Sequence, residues 1–186
     1  MLEIHAVTPD RLADFLDFFD HDGFADNAEW ASCYCQCYYE DHTKVKWSDR
    51  TAAQNRQIAC DRIAQSAMQG YLAYHDGKVV GWCNAAPRTL LHTLDGEPLP
   101  EAETTGTIIC FLIAPGSRRK GVARSLLAAA CDGLRARGMA IAEACPRPST
   151  TSVTENHHGP LSMYLAAGFQ VCRIDPDGSV WVCKDL

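Results

Sequence analysis

Several features that would settle a function at once are missing from this 186-residue sequence. No apolar run approaches the roughly 20 residues a helix needs to cross a bilayer, and the N-terminus lacks the basic segment and apolar core of a secretory leader. A cytoplasmic location is the expectation. There is no Gly-x-Gly-x-x-Gly, hence no dinucleotide fingerprint, and no Gly-Lys-[Ser/Thr] behind a glycine-rich loop, hence no nucleotide P-loop. Positive charge is scarce: 17 Lys and Arg face 23 Asp and Glu, a net charge of −6. That argues against general nucleic-acid binding and suits a cationic partner. Internal repeats and low-complexity segments are also lacking.

What is there describes an ordinary folded domain. Hydrophobic residues make up 47% and charged residues 22%, with a mean hydropathy near zero, and the length fits one domain spanning 1–186. Leu2 to Val7 reads as a strand, and Thr8-Pro9 as the start of a helix carrying Leu12, Phe15, Leu16 and Phe19. A second helix is predicted from Asp49 to Met68. Tyr71 to Tyr74 and Lys78 to Asn84 flank Asp76-Gly77, a hairpin signal. A polar connection holding one short helix follows from Pro87 to Gly106. Further on come a strand from Met139 to Cys145, a Ser/Thr/Pro-rich stretch from Pro146 to Glu155, a short helix from Pro160 to Gly168, and a last hairpin, Phe169 to Ile174 with Val180 to Lys184.

The densest information lies between them. Ile108, Ile109, Cys110, Phe111, Leu112 and Ile113 show no alternation, which suits a strand buried on both faces. Pro115 and Gly116 stop it. Downstream, Val122, Leu126, Ala130 and Leu134 line one face of a helix that closes with Arg135, Arg137 and Gly138. Its opening turn therefore carries unpaired amides and a partial positive charge, beside Arg118, Arg119 and Lys120 and with no Cβ at Gly121. An anion belongs there.

The pattern Arg118-x-x-Gly121-x-Ala123, between a buried strand and a helix, resembles the pyrophosphate-binding motif of the GNAT acyltransferase superfamily. A second element, Ser162-Met163-Tyr164-Leu165-Ala166-Ala167-Gly168-Phe169, resembles that family's Tyr-x-x-x-Gly-Phe. Both stand in the family's order, and the predicted elements match its fold over essentially the whole chain. The resemblance implies an α/β fold: a mixed, mostly antiparallel sheet of six to seven strands flanked by helices, with a splayed parallel strand pair that holds coenzyme A. It implies an N-acetyltransferase that moves an acetyl group from acetyl-CoA, its cosubstrate, to a primary amine. Phe111, Leu112 and Ile113 would pair with the pantetheine arm. The backbone of Arg119, Gly121, Val122, Ala123 and Arg124 would take the pyrophosphate, with Arg118 and Lys120 adding charge.

Tyr164 is then the candidate acid for the departing thiolate, because a phenol with a pKa near 10 keeps its proton at neutral pH; the alternative is a core tyrosine anchoring the short helix. A protonated amine must first lose a proton. Glu143, on the strand after the phosphate helix, and Glu155, His157 and His158, just ahead of the tyrosine helix, are the candidate bases; an exposed strand position for Glu143 and a loop surface for the histidine pair are the alternatives. His157 stands where the family often has Asn, and Pro160 where Ala is common.

Ten cysteines are many for this length. Cys60, Cys83, Cys110, Cys131, Cys145, Cys172 and Cys183 read as free buried thiols in a reducing compartment. Cys33, Cys35 and Cys37 crowd into one segment. His21 or His42 would complete a zinc set with them, but the spacing argues against it and no metal is expected. The segment reads as a wall of the acceptor pocket, with Trp30, Tyr34 and Tyr38 as stacking surfaces for a substrate; simple core packing and a thiol-responsive, non-catalytic acetyl-CoA-binding protein are the other readings. A small-molecule or peptide amine is the expected acceptor, with no nucleic-acid or membrane partner, and the final hairpin offers a homodimer surface.

Overall fold

The computed structural model describes residues 1–94, 99, 101–147 and 156–186. Seven strands form one sheet in the order β1-β2-β3-β4-β5-β7-β6. They are β1 (Leu2–Ala6), β2 (Gly70–His75), β3 (Lys78–Pro87), β4 (Thr105–Ile113), β5 (Ile141–Ala144), β6 (Gln170–Ile174) and β7 (Val180–Asp185). All neighbours are antiparallel except β4 and β5, which run parallel from Thr105↔Ile141 to Ile108↔Ala144. This is the mixed sheet that the sequence resemblance implied.

One face packs on α3 (Val122–Ala136) and α4 (Leu161–Ala166), which bury Leu126, Leu127, Ala130, Leu134 and Tyr164 against Ala85, Ile108 and Phe111. The other is covered by α1 (Leu12–Asp17), α2 (Ala52–Ala64) and the cysteine-rich segment, around Phe15, Phe18, Phe19 and Trp82. The first predicted helix proves broken: α1 is short and continues as a π-turn over Phe18–Asp22. That turn brings Phe18 and Phe19 both inward, where Phe19 stacks on Phe15 at 4.4 Å. Helix α2 is shorter than predicted because Thr51 and Gln54 form a reciprocal capping box, which fixes its start at Ala52.

Two features position the site. The β3–β4 register passes from Asn84↔Cys110 to Ala85↔Ile108, so Ile109 is an extra, bulged residue. Pairing with β5 ends at Ile108, and beyond the bulge β4 continues to Ile113 with no further strand beside it on that side among the described residues. The connection from Pro87 also holds more than the one short helix predicted: 3₁₀ turns cover Arg88–Leu90, His92–Leu94 and Ala102–Thr104. The Ser/Thr/Pro-rich stretch lies mostly outside the described residues.

The thiols require a correction. Cys172 and Cys183, read as free, form a disulfide across β6 and β7: Cys183 lies opposite Gln170, and Cys172 sits at the register shift between Val171 and Arg173.

Candidate active site

The turn from β4 into α3 is where the sequence places the anion. Arg119 (φ 63°) and Gly121 (φ 84°) both adopt the left-handed conformation, and alternation of this kind turns successive amides toward one point. Helical bonding begins with the Ser125 amide on the Gly121 carbonyl at 3.2 Å, so the amides of Val122, Ala123 and Arg124 precede the ladder. A Cβ on Gly121 would meet nothing within 4 Å; the space in front of the turn is open. The side chains divide the work. Arg119, Lys120 and Arg124 are exposed, whereas Arg118 grips Asp26 through both terminal nitrogens and donates from Nε to the Ile113 carbonyl at 3.0 Å. Arg118 holds the turn against β4 and spends its charge on a carboxylate.

On the free side of β4, the His157–His158 turn takes the place of a neighbouring strand. The Phe111 amide donates to the His157 carbonyl at 2.6 Å, and His158 Nδ1 lies 2.6 Å from the Ile109 carbonyl. A carbonyl only accepts, so Nδ1 carries the proton and Nε2 presents its lone pair, 3.3 Å from the Tyr38 hydroxyl. Burial, reinforced by His157, lowers the His158 pKa to about 4. Tyr164, fully buried, donates to the His158 carbonyl at 2.9 Å, and burial holds its phenol well above the ordinary range.

A cavity of about 370 Å³ opens beside this turn, with Tyr38, Thr107, Cys145, His158, Asp177 and Trp181 among its walls. Beneath it, Glu143 accepts from the Arg88 guanidinium and from Thr107 Oγ1, the latter at 2.7 Å. Arg88 and Glu143 are each only 3% exposed, and Arg88 lies over the Trp181 ring at 5.7 Å.

Comparison with known proteins agrees with this fold. The model of the Acetyltransferase (GNAT) family matches residues 14–169. The chain belongs to the GNAT family. A GCN5-related N-acetyltransferase from Kribbella flavida is 19% identical at a TM-score of 0.61, over 100% of this chain and 98% of that one. The structure of yncA from Salmonella typhimurium with its cofactor acetyl-CoA is 15% identical at 0.58, over 100% and 94%. The paia N-acetyltransferase from Thermoplasma acidophilum in complex with coenzyme A is 13% identical at 0.57, over 100% and 99%. Identities this low speak for the fold. No curated protein matches the sequence. As a GNAT protein, the chain has acyl transfer as its chemistry.

Within this GNAT fold the sequence-derived candidates separate. Tyr38 lines the cavity. Tyr34 does not belong with it as an acceptor surface: its ring stacks on Phe19 and its hydroxyl donates to Asp20 at 2.6 Å, so it is core. Trp30 is exposed and packs edge-on to His157, 5.2 Å away. Glu143 is neither an exposed strand residue nor a group facing the cleft, since Arg88 and Thr107 occupy its carboxylate. His157 contributes its carbonyl to β4, while its neighbour His158 faces the cavity. No three potential metal ligands come together among the described residues.

Sequence reasoning did not find Arg88, Asp26 or Asn84. Arg88 and Asp26 carry no local signal, because each is explained only by a distant partner. Asn84 does: a lone amide inside the apolar run Trp82 to Ala86 must find buried partners, and it finds Tyr39 and Cys35.

Proposed function

We propose that this GNAT protein is an acetyl-CoA-dependent N-acetyltransferase that acts on a primary amine in a ternary complex in the cytoplasm. The observation that carries the reading is the cradle before α3, where left-handed Arg119 and Gly121 converge amides on open space. In this reading the amides of Arg119, Gly121, Val122, Ala123 and Arg124 hold the diphosphate of coenzyme A. Arg119, Lys120 and Arg124 supply positive charge, and Arg118 keeps the turn docked. No metal is called for, because amides and cations already meet the anion.

Bound acetyl-CoA supplies an acetyl thioester, activated toward an amine. The backbone of Phe111, Leu112 and Ile113 supports its pantetheine arm, and the His157–His158 turn yields the Phe111 amide to it. Tyr164 keeps its proton at any working pH and, once released from the His158 carbonyl, is placed to donate to the leaving sulfur. Of the candidate bases, His158 is the one that lines the cavity; Glu155 lies outside the described residues. Its Nε2 lone pair accepts from the Tyr38 hydroxyl at the cavity wall, and burial keeps the ring neutral, so a proton from the amine would reach it through Tyr38. Asp177 at the cavity wall stays ionised, its pKa lowered by the Ser179 amide, and Arg147 of the same cavity stands against it as a positive charge. Holding amine and thioester together contributes most of the acceleration.

Calorimetry with coenzyme A, followed by release of free coenzyme A from acetyl-CoA across an amine panel, tests the reading. Absence of binding would defeat it. Tight binding without turnover would instead favour a non-catalytic acetyl-CoA sensor.

A further inference from the structure

The cavity beside Tyr38 and His158 has a charge pattern of its own. Behind its wall the charges cancel in pairs: Arg88 is matched by Glu143, and Arg173 by Asp175 at 2.8 Å. Trp181, which lines the cavity, has both guanidiniums over its ring, at 5.7 and 4.5 Å, and donates from its indole nitrogen to Asp175 at 2.8 Å. Two charged side chains of the lining remain, Arg147 and Asp177. Both are exposed.

Each is fixed through its backbone. Arg147 bridges to Pro160, and its carbonyl accepts from the Leu161 amide at 3.4 Å, so it stands where the chain enters α4. Asp177 lies in the β6–β7 turn, which the Gly178 amide closes on the Asp175 carbonyl and the Asp175 amide on the Ser179 carbonyl, both at 2.9 Å. One Asp177 carboxylate oxygen accepts from the Ser179 amide at 2.9 Å. Arg147 is near enough to act on Asp177 through space, yet among the described residues no ion pair joins them and the Arg147 guanidinium has no hydrogen-bond partner. Opposite charges held on separate elements of one cavity, and not spent on each other, complement a ligand that carries both signs.

We propose that the acceptor is a free amino acid, its carboxylate bound by Arg147 and its ammonium drawn in by Asp177. A guanidinium is a fork that takes a carboxylate through two parallel hydrogen bonds. A simple cationic amine would meet Arg147 as a like charge, and a peptide N-terminus has no carboxylate beside its amine. The volume of about 370 Å³ is at the small end of the roughly 300–1,000 Å³ range of small-molecule sites, which suits one amino acid better than a chain. Tyr38 and Trp181 give its side chain flat walls. The transfer step is the one proposed above, on which this assignment rests; the addition is the carboxylate beside the reacting amine.

The test uses the common amino acids that have a primary amine, each with its decarboxylated amine and its deaminated acid as controls. Calorimetry on the protein, with and without coenzyme A, should find at least one amino acid bound about tenfold or more tighter than either control, and KM with acetyl-CoA should follow the same order. Arg147→Met should weaken that amino acid at least about tenfold more than its decarboxylated amine, and Asp177→Asn should weaken it more than its deaminated acid. Both positions are exposed, and an unchanged Tm verifies that the variants fold. Decarboxylated amines bound as well as their parents across the panel, no amino acid bound at all, or an equal Arg147→Met loss for both would overturn the assignment. Coenzyme A binding with turnover of simple amines would then leave the N-acetyltransferase reading standing. Failure to bind coenzyme A would defeat that reading and the acceptor assignment with it.

Discussion

The amide of Phe111 and the carbonyl of His157 are joined by a 2.6 Å hydrogen bond across the gap where β4 and β5 part. Strand β4 would otherwise present an open edge there. The turn that covers it is held from behind by Tyr164 and from the cavity side by Tyr38, so the edge, the tyrosine and the cavity share one small element.

Tyr164→Phe removes the hydroxyl that holds this turn. Loss of a net hydrogen bond should lower stability by about 1 kcal/mol, read as a drop in Tm. If the phenol also protonates the leaving thiolate, kcat falls at least about tenfold, beyond what the small stability change explains. A wild-type kcat with a lowered Tm would leave Tyr164 a purely structural role.

Gly121→Val tests the cradle. A Cβ there clashes with nothing, but φ of 84° disfavours a branched side chain by about 1–2 kcal/mol, and the added methyl groups enter the space the diphosphate would use. Coenzyme A affinity by calorimetry should fall by more than about tenfold while the fold persists. Unchanged affinity would refute the assignment of the cradle.

Glu143→Ala removes a buried carboxylate partner of the Arg88 guanidinium, a loss of about 3–5 kcal/mol. Urea unfolding of Glu143→Ala, Arg88→Met and the double variant should show strong coupling, with the double variant more stable than Glu143→Ala. Additive losses would mean that the two residues act independently.

His158 should make stability depend on acid. Its pKa is about 4 in the folded protein against a reference of 6.5, so between these values the unfolded chain binds the extra proton. Stability is full above about pH 6.5, declines as pH falls to about 4, and levels off below, with a total loss of up to ~3 kcal/mol. Thermal melts of wild type and His158→Gln over this range provide the measurement; the same slope in both would remove His158 as its source.

Much of this was legible along the chain. The anion turn was readable because its parts are contiguous: an apolar strand, Pro115-Gly116 to end it, basic residues, Gly121, then a periodic helix. The hairpin at Asp76-Gly77 was readable for the same reason. The roles of Glu143, Tyr34 and Arg118 were not, since each depends on a partner remote in sequence: Arg88, Phe19 and Asp26. The Cys172–Cys183 disulfide escaped notice because strand register, not cysteine spacing, sets it.

By itself the sequence determined the layered fold and the strand–turn–helix order around Gly121. Strand, turn and helix there are dictated by neighbouring residues, through periodicity, capping and the left-handed freedom of Gly121. Only the tertiary structure decided which histidine faces the cavity, which carboxylate is neutralised and which thiol of three turns inward. Those outcomes depend on desolvation and on hydrogen-bond partners, which exist only once β3, β4 and the segments covering them have packed together.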